Sequence, residues 1–147
     1  MAKKYERIFA ALDGGKTQEQ VALRAIQLAS DNNAALCFGH VVDSMPDTLT
    51  GSDYKELSEA VKKRMKESLA DILQEARDDQ NIPSVEIVVQ VGNIQETLHE
   101  RIIKPFDPDL VICGERGLSN LTYVFVGSVS TYLIRHLRCD VLVVKDI

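Results

Sequence analysis

Leu110-Val111-Ile112-Cys113-Gly114-Glu115-Arg116-Gly117, then nine residues, then Gly127-Ser128-Val129-Ser130, is a stretch that starts as a strand and ends as a helix. Four apolar residues closed by a glycine read as a short buried strand. Gly114, Gly117 and Gly127 carry no Cβ, so the backbone can approach a ligand closely and positive φ costs little. A strand that stops at one glycine and re-enters a helix at Gly-Ser presents a fan of backbone N–H groups. Backed by the positive end of a helix dipole, such a fan suits phosphate. Ser128, at the expected helix N-cap, adds a hydroxyl for a backbone N–H or a phosphate oxygen. Arg116 is the phosphate partner within the loop, and Glu115 faces water or assists hydrolysis. Glycines could serve only to turn the chain, but a connection this long in a compact domain usually carries function.

Outward from this stretch, apolar runs alternate with helical patterns. Residues 7–12, 35–42, 85–91, 110–113 and 141–144 read as strands, the second nearly continuously apolar, as a strand covered on both faces should be. Thr17 with Gln20 forms a capping-box signature before Val21, Ala22, Ala25 and Ile26, and Asn32-Asn33 ends that helix in a left-handed turn. Asp53 with Glu56 predicts the cap of one long helix running to about Asp79, its apolar residues in a 3-4 rhythm from Tyr54 to Ala76. Asn93 with Glu96 starts a third helix that is expected to stop before Pro105, and the fourth spans about 127–138.

This alternation, without a linker, predicts a single α/β domain over residues 1–147, a parallel sheet with helices on both faces. Ligands of such sheets sit beyond the carboxyl ends of the strands, where the winding reverses. Two loops suit that place, Asp13-Gly14-Gly15 and the stretch from Gly114. If their strands are neighbours, a carboxylate and a phosphate cradle face one crevice. Asp13 has two readings, a turn residue capping the next helix or a partner for the amino edge of adenine or a ribose hydroxyl.

Several chemistries are excluded. Gly15-Lys16-Thr17 mimics the end of a P-loop, but Ala10 stands where its first glycine belongs. His40, His99 and His136 lack metal-ligand spacing, and His40 reads as a satisfied strand histidine. No nucleophile elbow or catalytic residue is identifiable. A net charge of −5 argues against a nucleic-acid surface, since the cluster Lys62, Lys63, Arg64 and Lys66 is interleaved with Glu56, Glu59 and Glu67. Cys37, Cys113 and Cys139 are odd in number and sit in or beside apolar runs, which predicts reduced thiols. With no membrane-length apolar run, the cytoplasm is the expected location.

The chain resembles the universal stress proteins, in the subgroup that binds ATP. The resemblance rests on the spaced glycine motif from Gly114 to Ser130, on Ile8-Phe9-Ala10-Ala11-Leu12-Asp13-Gly14, on Gly39-His40-Val41-Val42-Asp43, and on Val141-Leu142-Val143-Val144-Lys145. It implies an adenine nucleotide alpha hydrolase-like fold with strand order 3-2-1-4-5. It also implies a homodimer through fifth strands at Val141–Val144, an edge that would otherwise lie unpaired. Carried over by position, Asp13 and the Val41 backbone hold adenine, and Ala11 and Cys113 flank base and ribose. Gly114, Gly117, Gly127, Ser128 and Val129 wrap ribose and phosphates, with Gly15 and Arg116 completing the ATP-binding set. The implied cofactor is ATP with Mg²⁺ or Mn²⁺, and the implied role a stress-response switch with slow hydrolysis at most. The chain departs from the family at Gly15-Lys16-Thr17, where serine often follows glycine, and at Gly92-Asn93-Ile94, where glycine, any residue, proline is frequent.

Three rivals share parts of this pattern. A receiver domain needs an aspartate closing the third strand, where this chain has Gln90-Val91-Gly92. A flavodoxin-like electron carrier would want aromatics to stack its ring, and the chain has no Trp and four Tyr. A member of the family without nucleotide, working purely as an interaction module, would not need the intact glycine motif.

Overall fold

The computed structural model describes residues 4–43, 51–115 and 128–145, with backbone alone at 51, 52 and 128. Five strands form one parallel sheet: β1 Arg7–Ala11, β2 Ala35–Asp43, β3 Val85–Gly92, β4 Leu110–Gly114 and β5 Asp140–Val144. Their order is β3-β2-β1-β4-β5, every neighbouring pair parallel. The winding therefore reverses between β1 and β4, which pair as Ile8↔Leu110, Phe9↔Val111 and Ala10↔Ile112. The two glycine-bearing loops leave neighbouring strands, so the crevice expected between them exists.

Side-chain alternation divides the sheet into two cores. Ile8, Ala10, Leu36, Phe38 and Ile112 point to the face covered by α1 (Gln18–Asn32), α2 (Gly51–Ser68) and α3 (Ala70–Asp78). Phe9, Cys37, Val41, Val111 and Cys113 point to the other face. That face is covered by a continuous helical run and by α6 (Ser128–His136). The run joins α4 (Ile94–Glu96), a π-helical segment Thr97–Ile103 and α5 (Lys104–Phe106). β1, β2 and β4 are almost wholly buried because helices cover them from both sides.

Local chemistry explains where elements start and stop, and corrects four readings of the sequence. Asn33 closes α1 in the left-handed conformation at φ 55°, as expected. The capping box at its start does not form. Thr17 is itself in the right-handed helical region and buried, with no side-chain cap bond. The Gln18 Oε1 accepts from the Gly14 N–H at 2.8 Å instead. α2 begins at Gly51, so Asp53 lies inside its first turn, where a carboxylate still complements the dipole, and does not cap it.

The long helix is also broken. Leu69 adopts φ −109°, ψ 19° between α2 and α3. Ser68 Oγ donates back to the Met65 carbonyl at 3.2 Å, a bond that bends helices. The apolar rhythm runs through the break, since the Leu69 and Leu73 amides still reach the Met65 and Leu69 carbonyls. Asn93 caps α4 as expected, its side chain accepting from the Glu96 N–H at 3.1 Å. The helix does not stop before Pro105 but continues through it to Phe106. The π turn widens the helix just ahead of the proline, with the Lys104 N–H reaching back to the His99 carbonyl, and so relieves the ring's clash with the preceding turn.

Candidate functional site

A cleft opens at the carboxyl ends of β1 and β4. Its lining runs from Ala11, Leu12 and Asp13 through Val41 to Cys113, Gly114 and Val129. Ile94 and Leu98 complete the wall from the α4 and π segments. The wall is thus mainly aliphatic, which suits a planar apolar body such as a purine. At its rim, among the described residues, stand the Asp13 carboxylate and the half-buried end of β4 at Gly114.

Each position follows from the fold. Ala11 ends β1 and Cys113 precedes the last residue of β4, and alternation turns both toward the face carrying Val41. Val129 enters from the first turn of α6. Asp13 lines the cleft, and it is a turn residue that does not cap α1: its Oδ1 accepts at 2.7 Å, in a tight Asx turn, the N–H of Gly15, three residues ahead of the helix's first residue, Gln18. Gly14 sits at φ 78°, which glycine alone adopts without strain. Gly15 does not line the cleft; it serves the turn that holds Asp13.

Six of the eleven residues expected to bind ATP therefore meet around one opening: Ala11, Asp13, Val41, Cys113, Gly114 and Val129. Arg116, Gly117 and Gly127 lie outside the described residues, as does the Ser128 side chain. Ile94, Leu98 and Ser130 line the cleft without having been expected to bind. In the sequence, the turn at Gly92-Asn93-Ile94 reads as a helix start at Asn93 and as a departure from the family, not as part of a ligand site. The signal for Ile94 and Leu98 was there, two apolar residues four apart after a capping Asn93, but it marks any buried helix face equally well.

The cleft's one thiol is chemically quiet. Burial pushes the Cys113 thiol up to about 12, and Cys37, under the same face, is likewise raised to about 12, mainly by burial. Both are neutral at physiological pH and behave as small apolar groups, and none of the three cysteines is paired. His40 is the satisfied strand histidine that its setting suggests: it is buried, with Nδ1 2.7 Å from the Leu12 carbonyl oxygen.

The other two histidines are closer together than their spacing in sequence implies. Across a second groove at the amino ends of β4 and β5, the His99 and His136 rings lie 6.5 Å apart. Tyr132 joins them, stacked on His136 at 4.0 Å and edge-on to His99 at 5.8 Å. Among the described residues, no group of three His, Cys, Asp or Glu side chains is arranged to hold a metal. Likewise, none of the described helices is long and apolar enough to cross a membrane.

Comparison with known proteins agrees with this geometry. The family model described as the universal stress protein family matches residues 4–145. A universal stress protein of Synechocystis is 32% identical over 154 residues, covering 96% of this chain and 98% of its own. A putative universal stress protein of Staphylococcus saprophyticus is 31% identical over 144 residues, covering 96% of this chain and 84% of its own. Among solved structures, the universal stress protein UspA from Lactobacillus plantarum superposes with a TM-score of 0.76 at 23% identity, over 97% of this chain and 99% of its own. Two further structures share the fold with ligands bound. A universal stress protein in complex with cAMP has a TM-score of 0.68 at 22% identity, over 97% of this chain and 98% of its own. An Arabidopsis thaliana family protein with AMP bound has 0.61 at 17% identity, over 97% and 92%. Sheet order, the crevice between β1 and β4, and a match spanning nearly every residue all lead to one assignment: the chain belongs to the universal stress protein family.

Proposed function

We propose that this chain binds an adenine nucleotide, ATP accompanied by Mg²⁺ or Mn²⁺, in the cleft between β1 and β4. In this reading it acts in the cytoplasm as a homodimeric, nucleotide-dependent stress-response switch, with slow hydrolysis at most. The observation that carries the reading is the convergence of Asp13, Val41 and Gly114 around an aliphatic cleft at the switch point of the sheet. The base lies between Ala11, Val41 and Cys113 on one side and Ile94 and Leu98 on the other. Its exocyclic amine meets the Asp13 carboxylate, a hydrogen bond that guanine cannot offer at that edge. The phosphates leave past Gly114 toward Gly117, Gly127 and the start of α6, whose amides and dipole favour an anion. The metal is held mainly by the phosphates themselves, as magnesium usually is. AMP and cAMP in two relatives of the same fold support an adenine ligand of this kind.

A switch requires a ligand that prefers one state of the protein. Here the glycine-bearing stretch that ATP would contact joins β4 to α6 in the sequence, and β5, an edge of the sheet, follows α6. The test is to denature freshly purified protein and identify what is released by chromatography and absorbance. An adenine nucleotide supports the reading. A flavin, or no compound combined with no calorimetric response to millimolar ATP and Mg²⁺, contradicts it and favours an interaction module without nucleotide.

A further inference from the structure

The parallel ladder between β1 and β2 ends one rung early, and a side chain occupies the vacated acceptor. Along β2 the amides alternate in direction: the Ala35 N–H reaches the Glu6 carbonyl before β1, and the Leu36 N–H reaches the Ser84 carbonyl before β3. Odd-numbered amides of β2 therefore face β1. The last rung of this ladder is the Leu12 N–H on the Gly39 carbonyl at 2.8 Å. A continuing ladder would next place the Val41 N–H on the Leu12 carbonyl, yet pairing stops at Ala11↔Gly39 and that bond is not made. The Leu12 carbonyl is instead met by His40 Nδ1 at 2.7 Å. A carbonyl only accepts, so Nδ1 carries the hydrogen and donates it.

We infer that His40 is a positioning residue that ends the β1–β2 ladder so that the Val41 amide is left turned toward the nucleotide cleft. Its side chain stands in for the missing rung and satisfies the strand-end carbonyl in place of the Val41 amide. It also fixes Leu12, the residue before Asp13, from the opposite face of the sheet. The imidazole edge lies beneath Gly14, with Cε1 4.0 Å from where a Cβ would stand. One side chain thus holds in place both backbone segments that would read the edge of a base: the Asp13 turn, and Val41, which follows His40 in the chain. A free N–H at Val41 is a donor for an unprotonated ring nitrogen, which adenine has at the position next to its amino group. Guanine carries a hydrogen there and would be rejected.

This role rests on the nucleotide reading for its effect on affinity, but not for its effect on the backbone. The experiment therefore has two measurements, on the full chain and on His40→Leu and His40→Asn. Leu removes the donor; Asn restores an N–H at the position of Nδ1. By amide hydrogen exchange, the Val41 N–H of the wild type is expected to exchange faster than that of Gly39, and to slow in His40→Leu as the rung closes. By calorimetry with ATP and Mg²⁺, His40→Leu is expected to bind about tenfold or more weakly and to lose its preference for ATP over GTP. His40→Asn should keep both. A Val41 amide already as protected as Gly39 in the wild type overturns the inference, as does undiminished ATP affinity in His40→Leu. Should the leucine variant fail to fold, the asparagine variant decides: wild-type affinity and an open Val41 amide support the role, and a tenfold loss contradicts it. If the wild type shows the open amide but binds no adenine nucleotide, the functional reading falls while the ladder-ending role of His40 stands.

Discussion

Asp13 and Gly39 show how much a single residue can decide here. Asp13 is both a turn former and, among the described residues that line the cleft, the one charged group, so its removal separates two effects. Asp13→Ala is expected to lower stability by only about 1 kcal/mol, the worth of a partly exposed hydrogen bond, while weakening ATP binding about tenfold. Calorimetry beside a denaturant melt checks this, and a variant with unchanged affinity would remove Asp13 from the site. Gly39 is structural. A Cβ there would stand 2.7 Å from Phe9 Cε2 and 3.1 Å from Ile102 Cγ2, inside a packed core. Gly39→Ala is therefore predicted to cost about 1–3 kcal/mol by overpacking, read as a lower denaturation midpoint. The sequence pointed to Asp13 because its position after a strand is a general feature of such sheets. It could not show that Gly39 faces an aromatic ring, since that depends on the β1–β2 register.

At the scale of elements, strands were more legible than helices. Each strand was found to within about a residue at either end because short apolar runs bounded by Gly, Pro or Asn have few other readings. The helix errors share one cause. Periodicity reports which face is buried, and the face stays buried through the kink at Leu69 and through the π turn before Pro105. The caps divided on conformation: Asn93 is extended at φ −64°, ψ 127° and can reach the Glu96 N–H, whereas Thr17, already helical at φ −88°, ψ −4°, cannot reach its own. β5 is an edge of the sheet, with Val141, Leu142 and Val143 only half-buried. Its Val144 carbonyl accepts from the Glu115 N–H, so alternation leaves the backbone groups of Val141 and Val143 on the free side. Val143→Pro deletes one outward donor and spares the rungs to β4. If β5 pairs with a second copy, this variant elutes as a monomer in light-scattering chromatography while its melt stays close to wild type. An unchanged mass would place any dimer contact elsewhere.

Across the whole molecule, the alternation of strands and helices made the fold class legible and placed the cleft beyond the strands' carboxyl ends, whereas the sheet order came only with the family resemblance. What remained hidden was the pairing of distant groups, such as His99 with His136, and the side-chain rung at His40. One global property follows from the two buried thiols. Folded Cys37 and Cys113 hold their protons to about pH 12, against 9.0 for the unfolded thiols. Their contribution to stability is therefore complete below pH 9 and is lost as pH rises from 9 toward 12, because the unfolded chain gives up protons that the folded one keeps. The fall is about 1.4 kcal/mol per pH unit for each thiol. A Cys37→Ala, Cys113→Ala double variant should lose stability less steeply than the wild type between pH 8 and pH 10.5 in denaturant melts. Parallel losses would refute the assignment.

The central claim is that an adenine nucleotide occupies the cleft where β1 and β4 diverge. Its most direct test is a titration of the isotope-labelled chain with ATP and Mg²⁺, followed by backbone amide resonances. Saturable shifts are expected at residues 11–15, at Val41, at 113–115 and at Val129, with little change around His99 and His136. No shifts at millimolar ATP, or shifts confined to the groove at the amino ends of β4 and β5, would contradict it.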